Sequence, residues 1–395
     1  MFKAGLFSSW GLFMLVRTPD YYSEFKCIAG ECTDTCCAGW QVDVDDRSFA
    51  YYRIVKGDFG DRLRSVMTEG RNGAEGQFRI REDGRCPFLN DDNLCDLYAA
   101  LGEDALCVTC AQYPRYSCEF GSLREIGIAL SCKTAAELIL KDDRTPGFAT
   151  YEDEESFPSL NSIDGELFLA LMKSRDKAYK IIGNRGRNIF ERMAALLDFA
   201  GRVQSVIKKP HKIKSVAEGY GEDGGVSFDG DGRLSEKALV KTFRGYFRHY
   251  LRQVIIKPEW PLLCEKTDGA LYRGGYREVS QAFWKSYGDR EYEYENLLTY
   301  FIFRYFMKGV FDRDVLSKVK MGVVSTLIIM QCDMAVWKSD GERLGFKEQV
   351  EIAHFYSREV EHSEENFDAL CRIFRQKKEF GTEALKRLCM SVIPI

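Results

Sequence analysis

Apolar residues recur at helical spacing through most of the chain after residue 160. Steps of three and four residues place side chains on one face of a helix. Two long stretches, residues 294–310 and 314–337, are apolar on nearly every face and predict largely buried helices. The clearest amphipathic set is Leu239, Phe243, Tyr246, Phe247, Tyr250 and Leu251. The pattern predicts a mostly α-helical second part.

The first part of the chain has no comparable periodicity. Turn-forming residues such as Asp83-Gly84 separate short segments, residues 77–81 predict a brief strand, and residues 134–141 predict a helix. Charged residues, proline and glycine at 141–147 are typical of a linker. We therefore predict a mainly α protein with two domains, a loop-rich domain over residues 1–145 and a helical domain over residues 146–395.

The charge balance argues against nucleic acid as a partner, and the hydropathy argues against a membrane anchor. The chain has 395 residues, with 56 basic and 60 acidic side chains, so no phosphate-tracking surface is implied and nucleic acid is not an expected partner. The longest apolar run, residues 321–330, covers about half a membrane span. It predicts a core helix rather than a membrane anchor.

Ten of the fourteen cysteines lie within the first 132 residues. They begin with Cys27, Cys32 and the adjacent pair Cys36-Cys37. Adjacent thiols are poorly placed to bridge one another, because a disulfide needs Cα atoms further apart than one peptide step. Closely spaced thiolates instead suit a metal ion or an iron–sulfur cluster. The remaining thiols of this region are Cys86, Cys95, Cys107, Cys110, Cys118 and Cys132.

Three alternatives bear on these thiols. A disulfide scaffold suits short secreted chains, so we expect a cytoplasmic protein with reduced thiols. A structural zinc often uses two Cys-x-x-Cys or Cys/His pairs, but the chain has one such pair, Cys107 and Cys110, and no histidine before His211. About eight thiolates exceed one zinc and favour a four-iron cluster, either with a second site or with spare thiols. Zinc remains the alternative, and Cys107 and Cys118 are equally well explained as free thiols.

Several motifs together resemble the flagellin lysine N-methylase (FliB-like) family. The cysteine region is also similar to small cysteine-rich proteins that chelate zinc or iron. The resemblance runs from about residue 19 to residue 375 and includes residues 294–305 and 356–362. Its specific motifs are Phe25-Lys26-Cys27, Asp34-Thr35-Cys36-Cys37-Ala38-Gly39-Trp40, Cys86-Pro87-Phe88-Leu89, Leu94-Cys95, Leu101-Gly102-Glu103, Thr109-Cys110, Tyr113-Pro114-Arg115 and Leu130-Ser131-Cys132.

The resemblance implies transfer of methyl groups from S-adenosylmethionine to surface lysines of flagellin, with a four-iron cluster as cofactor. Cys107 and Cys118 are additions to the family pattern, and Lys133-Thr134 departs from it. No general base is identified, and the alternative is a non-catalytic zinc- or iron-binding interaction module. The ligands that the resemblance implies are Cys27, Cys32, Cys36, Cys37, Cys86, Cys95, Cys110 and Cys132.

A separate expectation concerns the first residues of the chain. The family likeness begins near Thr18-Pro19-Asp20. We therefore expect residues 1–13 to be an upstream start or a dispensable extension, with a short helix packed on the helical part as the alternative. The oligomeric state and the S-adenosylmethionine site stay open.

Overall fold

The computed structural model describes residues 13–70, 76–154, 156, 159, 161–221 and 232–393. Within them the fold is mainly α-helical, as predicted, with two small sheets near the start of the chain. The expectation for residues 1–13 falls, except for Phe13, outside the described residues.

The described strands form a four-stranded and a three-stranded sheet. Their order is β5-β6-β1-β7 in the larger sheet and β2-β4-β3 in the smaller. β4 overlaps the start of the strand predicted at residues 77–81. The bounds are β1 Met14–Pro19, β2 Asp43–Val44, β3 Met67–Glu69, β4 Gly76–Phe78, β5 Arg115–Phe120, β6 Leu123–Ile128 and β7 Phe148–Asp153.

The larger sheet crosses the predicted domain boundary. β1 runs parallel to β6 and antiparallel to β7, so that Met14 lies opposite Asp153 and Pro19 opposite Phe148. A strand pair of this kind joins backbone on both sides of residue 145 by hydrogen bonds. The division at residue 145 therefore stays a prediction, with continuous structure running across it.

Five short helices lie in the first part of the described chain, and the rest is made up of twelve helices, most of them longer. The helix predicted at residues 134–141 is α5. The first five are α1 Asp46–Ile54, α2 Gly57–Val66, α3 Asp96–Leu101, α4 Val108–Gln112 and α5 Lys133–Leu140. The others are α6 Gly165–Ile182, α7 Ile189–Ser205, α8 Pro210–Gly219, α9 Glu236–Tyr250, α10 Glu259–Leu271, α11 Tyr276–Tyr287, α12 Tyr292–Tyr305, α13 Gly309–Asp312, α14 Val315–Ser339, α15 Phe346–Val360, α16 Glu364–Gln376 and α17 Thr382–Val392. Short 3-10 helices lie at Asp20–Glu24, Ala29–Glu31, Glu103–Ala105, Gly288–Arg290, Phe306–Lys308 and Lys378–Phe380.

Helix α14 is the centre of the helical part. The Asp314 side chain accepts a hydrogen bond from the Ser317 amide at its first turn, and residues 317–337 are all buried. Helices α7, α10, α11, α12, α15 and α16 surround it. By length and composition α14 is also the one described helix that could cross a membrane, but its whole apolar window is buried in the protein. Its surroundings are those of a core helix, as the pattern predicted.

Two separate apolar cores follow from this arrangement. The larger core joins the helical part to α5 and to residues of the larger sheet, such as Phe120 and Ile128. The smaller core lies under the cysteine region and includes two thiols. Its members are Val42, Val44, Tyr52, Leu63, Phe78, Cys86, Phe88, Leu89, Leu97, Ala105 and Cys107.

A buried ion pair ties the larger sheet to the first long helix. Arg175 on α6 donates two hydrogen bonds to Glu125 on β6, one of them at 2.6 Å from Nη1 to Oε2. The side chains are 0% and 4% exposed. A charge this deeply buried is tolerated because its partner compensates it.

We expect Glu125→Ala to lower the free energy of unfolding by about 3 to 5 kcal/mol, because Arg175 is then left buried without a counter-charge. Glu119→Ala is the matched control, since Glu119 pairs with Arg124 on the same sheet but at the partly exposed edge. The control should cost less than about 1 kcal/mol. Denaturant unfolding of both variants measures the difference, and equal losses would contradict the assignment.

Candidate metal centre

The first cysteine loop is shaped by short local contacts. The sulfur of Cys27 accepts the Ala29 amide at 3.4 Å, and the Cys32 thiol donates to the Asp34 carbonyl at 3.4 Å. The Cys37 amide donates to the Thr35 hydroxyl at 3.2 Å. Contacts within the loop itself therefore orient these cysteines, independently of contacts with distant parts of the chain.

Asp34 fixes this loop to helix α15. Its carboxylate lies 2.6 Å from His354 Nε2 and 2.6 Å from Arg358 Nη1, with Lys257 Nζ at 3.7 Å. Arg358 also donates to the Ala38 carbonyl at 2.7 Å. Burial raises the pKa of Asp34, but the hydrogen bond from His354 and the charge of Arg358 outweigh it, so the pKa lies well below its usual value.

A second link joins the same loop to α5. Lys133, at the first position of α5, donates to the Thr33 hydroxyl at 3.0 Å and pairs with Glu351 on α15 at 2.6 Å. The first cysteine loop, α5 and α15 therefore meet around Cys32 and Cys132. Lys133 is the position where the sequence departs from the family pattern, and here it serves as a bridge.

Four of the predicted cysteines come together at this junction. Cys36 has Cys27 and Cys132 as electrostatic neighbours, and Cys132 has Cys32 and Cys27. Burial raises the pKa of the Cys132 thiol to about 11. We call Cys27, Cys32, Cys36 and Cys132 the first thiol set.

The other four predicted cysteines come together against the smaller core. Cys37 is an electrostatic neighbour of Cys86, Cys95 and Cys110. The Cys86 amide donates to the Cys37 carbonyl at 2.7 Å, and burial raises the pKa of the Cys86 thiol to about 12. Cys107 lies against Cys110, so this thiol belongs to the same place. We call Cys37, Cys86, Cys95, Cys107 and Cys110 the second thiol set.

The two sets touch at the adjacent pair. A hydrogen bond from the Cys36 thiol lowers the pKa of Cys37 to about 7, helped by Thr35 and by the charge of Arg85. The same bond raises the pKa of Cys36. The Cys36 and Cys37 side chains are thus hydrogen-bond partners.

The remaining thiols are elsewhere. Cys118 lies on β5 and packs against the larger core, where burial raises its pKa to about 11. This placement favours the free-thiol explanation for Cys118. Cys264, Cys332, Cys371 and Cys389 are buried in the helical part.

The sets offer thiols alone, which is the donor type that iron–sulfur clusters and tetrahedral zinc both use. Among the described residues no three Cys, His, Asp or Glu side chains are compact enough to hold a single ion. Four thiolates on one zinc lie only about 3.8 Å apart. The match to the predicted iron–sulfur group is therefore one of donor type alone. The ligand assignment itself stays a prediction.

Aromatic side chains cover the first thiol set. The Trp40 indole donates to the Cys36 carbonyl at 2.5 Å, and its ring lies 4.2 Å from His362 and 5.8 Å from Tyr113. Burial lowers the pKa of His362 to about 4, and the charges of Arg358 and Arg304 act in the same direction. His362 is therefore a neutral imidazole at pH 7.

A buried polar network lies next to His362 in the chain. The Glu361 carboxylate accepts hydrogen bonds from Tyr305 and Ser357, both at 2.6 Å, and from Tyr300 at 3.2 Å. Arg304 donates to the Tyr300 hydroxyl at 2.5 Å. These groups hold the end of α15 in place beneath the aromatic cover.

Sequence reasoning missed Asp34, Trp40, His354, Arg358 and His362. Four of the five fall within the two motifs that carried the resemblance, residues 34–40 and 356–362, so a signal was present. What the sequence did not reveal is that these two motifs contact one another.

Fold and site define a helical protein with a thiol-rich region anchored to its helices. Residues 175–388, more than half of the chain, match the family model described as the FliB lysine N-methylase C-terminal domain. The chain belongs to the FliB lysine N-methylase family. This confirms the family that the motifs indicated.

Curated relatives agree with this assignment. The flagellar biosynthetic protein FliU of Salmonella muenchen is 27% identical over 170 residues, which are 42% of this chain and 95% of the relative. The lysine-N-methylase of Salmonella choleraesuis is 28% identical over 132 residues, and that of Salmonella typhimurium is 27% identical over 131. Each alignment spans 32% of this chain and one third (33%) of the lysine-N-methylase. No solved structure matches the chain.

We expect Asp34→Ala to lower the free energy of unfolding by about 3 kcal/mol, because His354 and Arg358 lose their buried counter-charge. Limited proteolysis should then cut the cysteine loop faster. Glu24→Ala is the control, since Glu24 pairs with Lys141 at the surface and should cost less than about 1 kcal/mol. Unchanged cleavage of the loop in Asp34→Ala would contradict its role as the anchor.

His362 should also make stability depend on pH. Its pKa is lowered from about 6.5 in the unfolded chain to about 4. The unfolded state therefore binds the extra proton first, and stability falls by up to about 3 kcal/mol as pH drops from 6.5 to 4. Denaturant unfolding between pH 7 and pH 5 should give a shallower loss in His362→Gln than in wild type. The exposed His211→Gln should behave as wild type, and identical slopes in all three would refute the assignment.

Proposed function

We propose that this protein is a protein-lysine N-methyltransferase. It transfers methyl groups from S-adenosylmethionine to surface lysines of flagellin, and its cysteine region holds a four-iron cluster. Family membership and the lysine-N-methylase relatives support the reaction. The name of the relative FliU, a flagellar biosynthetic protein, supports a flagellar substrate. Reduced thiols favour the cytoplasm as the place of action.

One observation carries the proposal. Asp34, in the cysteine loop, is paired with His354 and Arg358, and both partners lie within the residues that match the family model. The thiols are thus anchored on the family's helical domain rather than on a separate module. A bare chelating module would not need that helical domain.

The chemistry sets three demands. A lysine amine is protonated at neutral pH, since its pKa is about 10.4, so the proton must leave before the nitrogen can attack. Nitrogen and methyl must then be aligned and water excluded. A cluster held by the cysteines would either act as a Lewis acid towards the amino and carboxylate groups of the methyl donor or hold the cysteine loops in place.

The chain's own residues can serve the positioning steps. Trp40, Tyr113 and His362 form an aromatic surface beside Cys36, and aromatic faces attract cations such as an ammonium or a sulfonium. The sulfonium of the methyl donor is positively charged, and so is the lysine side chain until its proton leaves, so this surface suits the binding of both.

The test is methylation of flagellin in vitro. Anaerobically purified, cluster-loaded protein, mixed with flagellin monomer and S-adenosylmethionine, should add methyl-sized mass steps to lysines in intact-mass spectra. Flagellin with acetylated lysines is the control, because acetylation removes the reactive amine. Absence of added methyl groups on unblocked flagellin would favour the alternative, a zinc- or iron-binding interaction module.

A further inference from the structure

His362 differs from the other polar groups of the aromatic surface because its side chain has no hydrogen-bond partner. The Trp40 indole donates to the Cys36 carbonyl, and the Tyr113 hydroxyl donates to the Ser131 carbonyl at 2.8 Å. Across the described residues, neither ring nitrogen of His362 takes part in a hydrogen bond. The side chain is half-buried, and neither nitrogen is fully enclosed. This imidazole is therefore free to contact a ligand.

The position of His362 is fixed without the use of its ring nitrogens. Its amide donates to the Ser357 carbonyl at 3.2 Å, just beyond the end of α15. The carboxylate of the preceding Glu361 is held in the buried polar network. The ring has edge contacts with Trp40 at 4.2 Å and with Tyr113 at 5.6 Å. Backbone and ring packing thus orient the imidazole while its nitrogens stay uncommitted.

The surroundings of His362 keep it a hydrogen-bond acceptor. Burial and the positive charges of Arg358 and Arg304 lower its pKa, so at pH 7 one nitrogen accepts whichever tautomer is present. Both arginines are themselves paired, Arg358 with Asp34 and Arg304 with Glu361. A lysine ammonium that enters the same place meets the same burial and the same charges. Both favour its neutral amine form, which is the nucleophile.

A lysine side chain matches this surface along its whole length. Its aliphatic stem is apolar and suits the faces of aromatic rings, and its amine is polar and suits the imidazole. A neutral primary amine has two N–H groups and one lone pair. Donation of one N–H to a fixed acceptor restricts the direction of the lone pair, which must point in line at the sulfonium methyl.

We propose that His362 contacts the substrate lysine, accepting one N–H of its neutral amine while Trp40 and Tyr113 flank the aliphatic stem. The lone pair attacks the methyl carbon, the carbon–sulfur bond breaks, and its electron pair leaves with sulfur as a neutral thioether. The methylammonium formed then loses one proton to water. His362 stays neutral throughout. The inference rests on the proposed function and adds to it the residue that orients the lysine.

The same contact limits the number of methyl groups. A monomethylated amine keeps one N–H for His362 while its lone pair attacks a second methyl. A dimethylated amine has no N–H left in its neutral form and cannot make this bond. Two transfers are therefore compatible with the contact and a third is not. The expected products of the wild type are monomethyl-lysine and dimethyl-lysine.

The first experiment measures flagellin methylation by variants of His362. His362→Phe keeps a ring beside Trp40 and Tyr113 but removes the acceptor, so kcat should fall about tenfold or more with little change in KM. The share of trimethyl-lysine among its products should rise. His362→Gln has an amide oxygen that accepts and should recover part of kcat, which loss of a purely structural role would not allow. The exposed His211→Gln is the control and should equal wild type.

The second experiment measures binding without catalysis. The chain has four histidines, so proton–carbon spectra of protein labelled at the histidine rings can be assigned with His362→Gln. Nα-acetyl-lysine methylamide is titrated into the full-length protein. The norleucine compound of the same length, which lacks the amine, is the matched control. The His362 signals should move with the lysine compound and stay in place with the norleucine compound.

Three results would each overturn the proposal. They are unmoved His362 signals, trimethyl-lysine as the main product of the wild type, and full activity of His362→Phe. Signals that move in a protein that never methylates flagellin would reject the proposed function while supporting the lysine contact. If His362→Phe does not fold, the titration of the wild type and the kinetics of His362→Gln still decide.

Discussion

The charge cluster around Asp34 is the constraint on which the rest of the site depends. One carboxylate from a loop with few apolar residues meets a histidine and an arginine that are 0% and 4% exposed. Burying three ionisable groups is unfavourable unless all of them are satisfied together. A displaced loop would leave the helical partners unpaired, so the cluster selects one position of the loop. The placement of Cys32, Cys36 and the aromatic cover follows from that choice.

The division into two cores explains why such an anchor is needed. The smaller core has few members, and two of them are cysteines. Small cores contribute little net stability, and metal sites commonly supply the remainder. The attachment to α15 is therefore one support of the cysteine region, and the predicted thiolate centre would be a second. The helical part has a larger core of its own, built around α14, whose residues 317–337 are all buried.

The sequence was sufficient for features that depend on local pattern. The buried helices α12 and α14 followed from nearly continuous apolar residues, and α5 from its periodicity. The pairing of β1 with β7 and the contact of Asp34 with His354 were not accessible, because they join residues about 130 and 320 positions apart. The cysteines at helix starts gave no signal either, since Ser, Thr, Asp and Asn are the usual residues there. Candidate ligands could thus be named, but their grouping could not.

The order of synthesis gives the Asp34 contact a further consequence. Its partner His354 follows 320 positions later in the chain. At translation rates of about 5 to 20 residues per second, roughly a quarter of a minute to a minute separates the two on the ribosome. During that interval the nascent thiols have left the exit tunnel without the helix that will hold them. Because thiolates that are not yet enclosed are the ones open to oxidation, the region is most exposed to that damage before the helix is made.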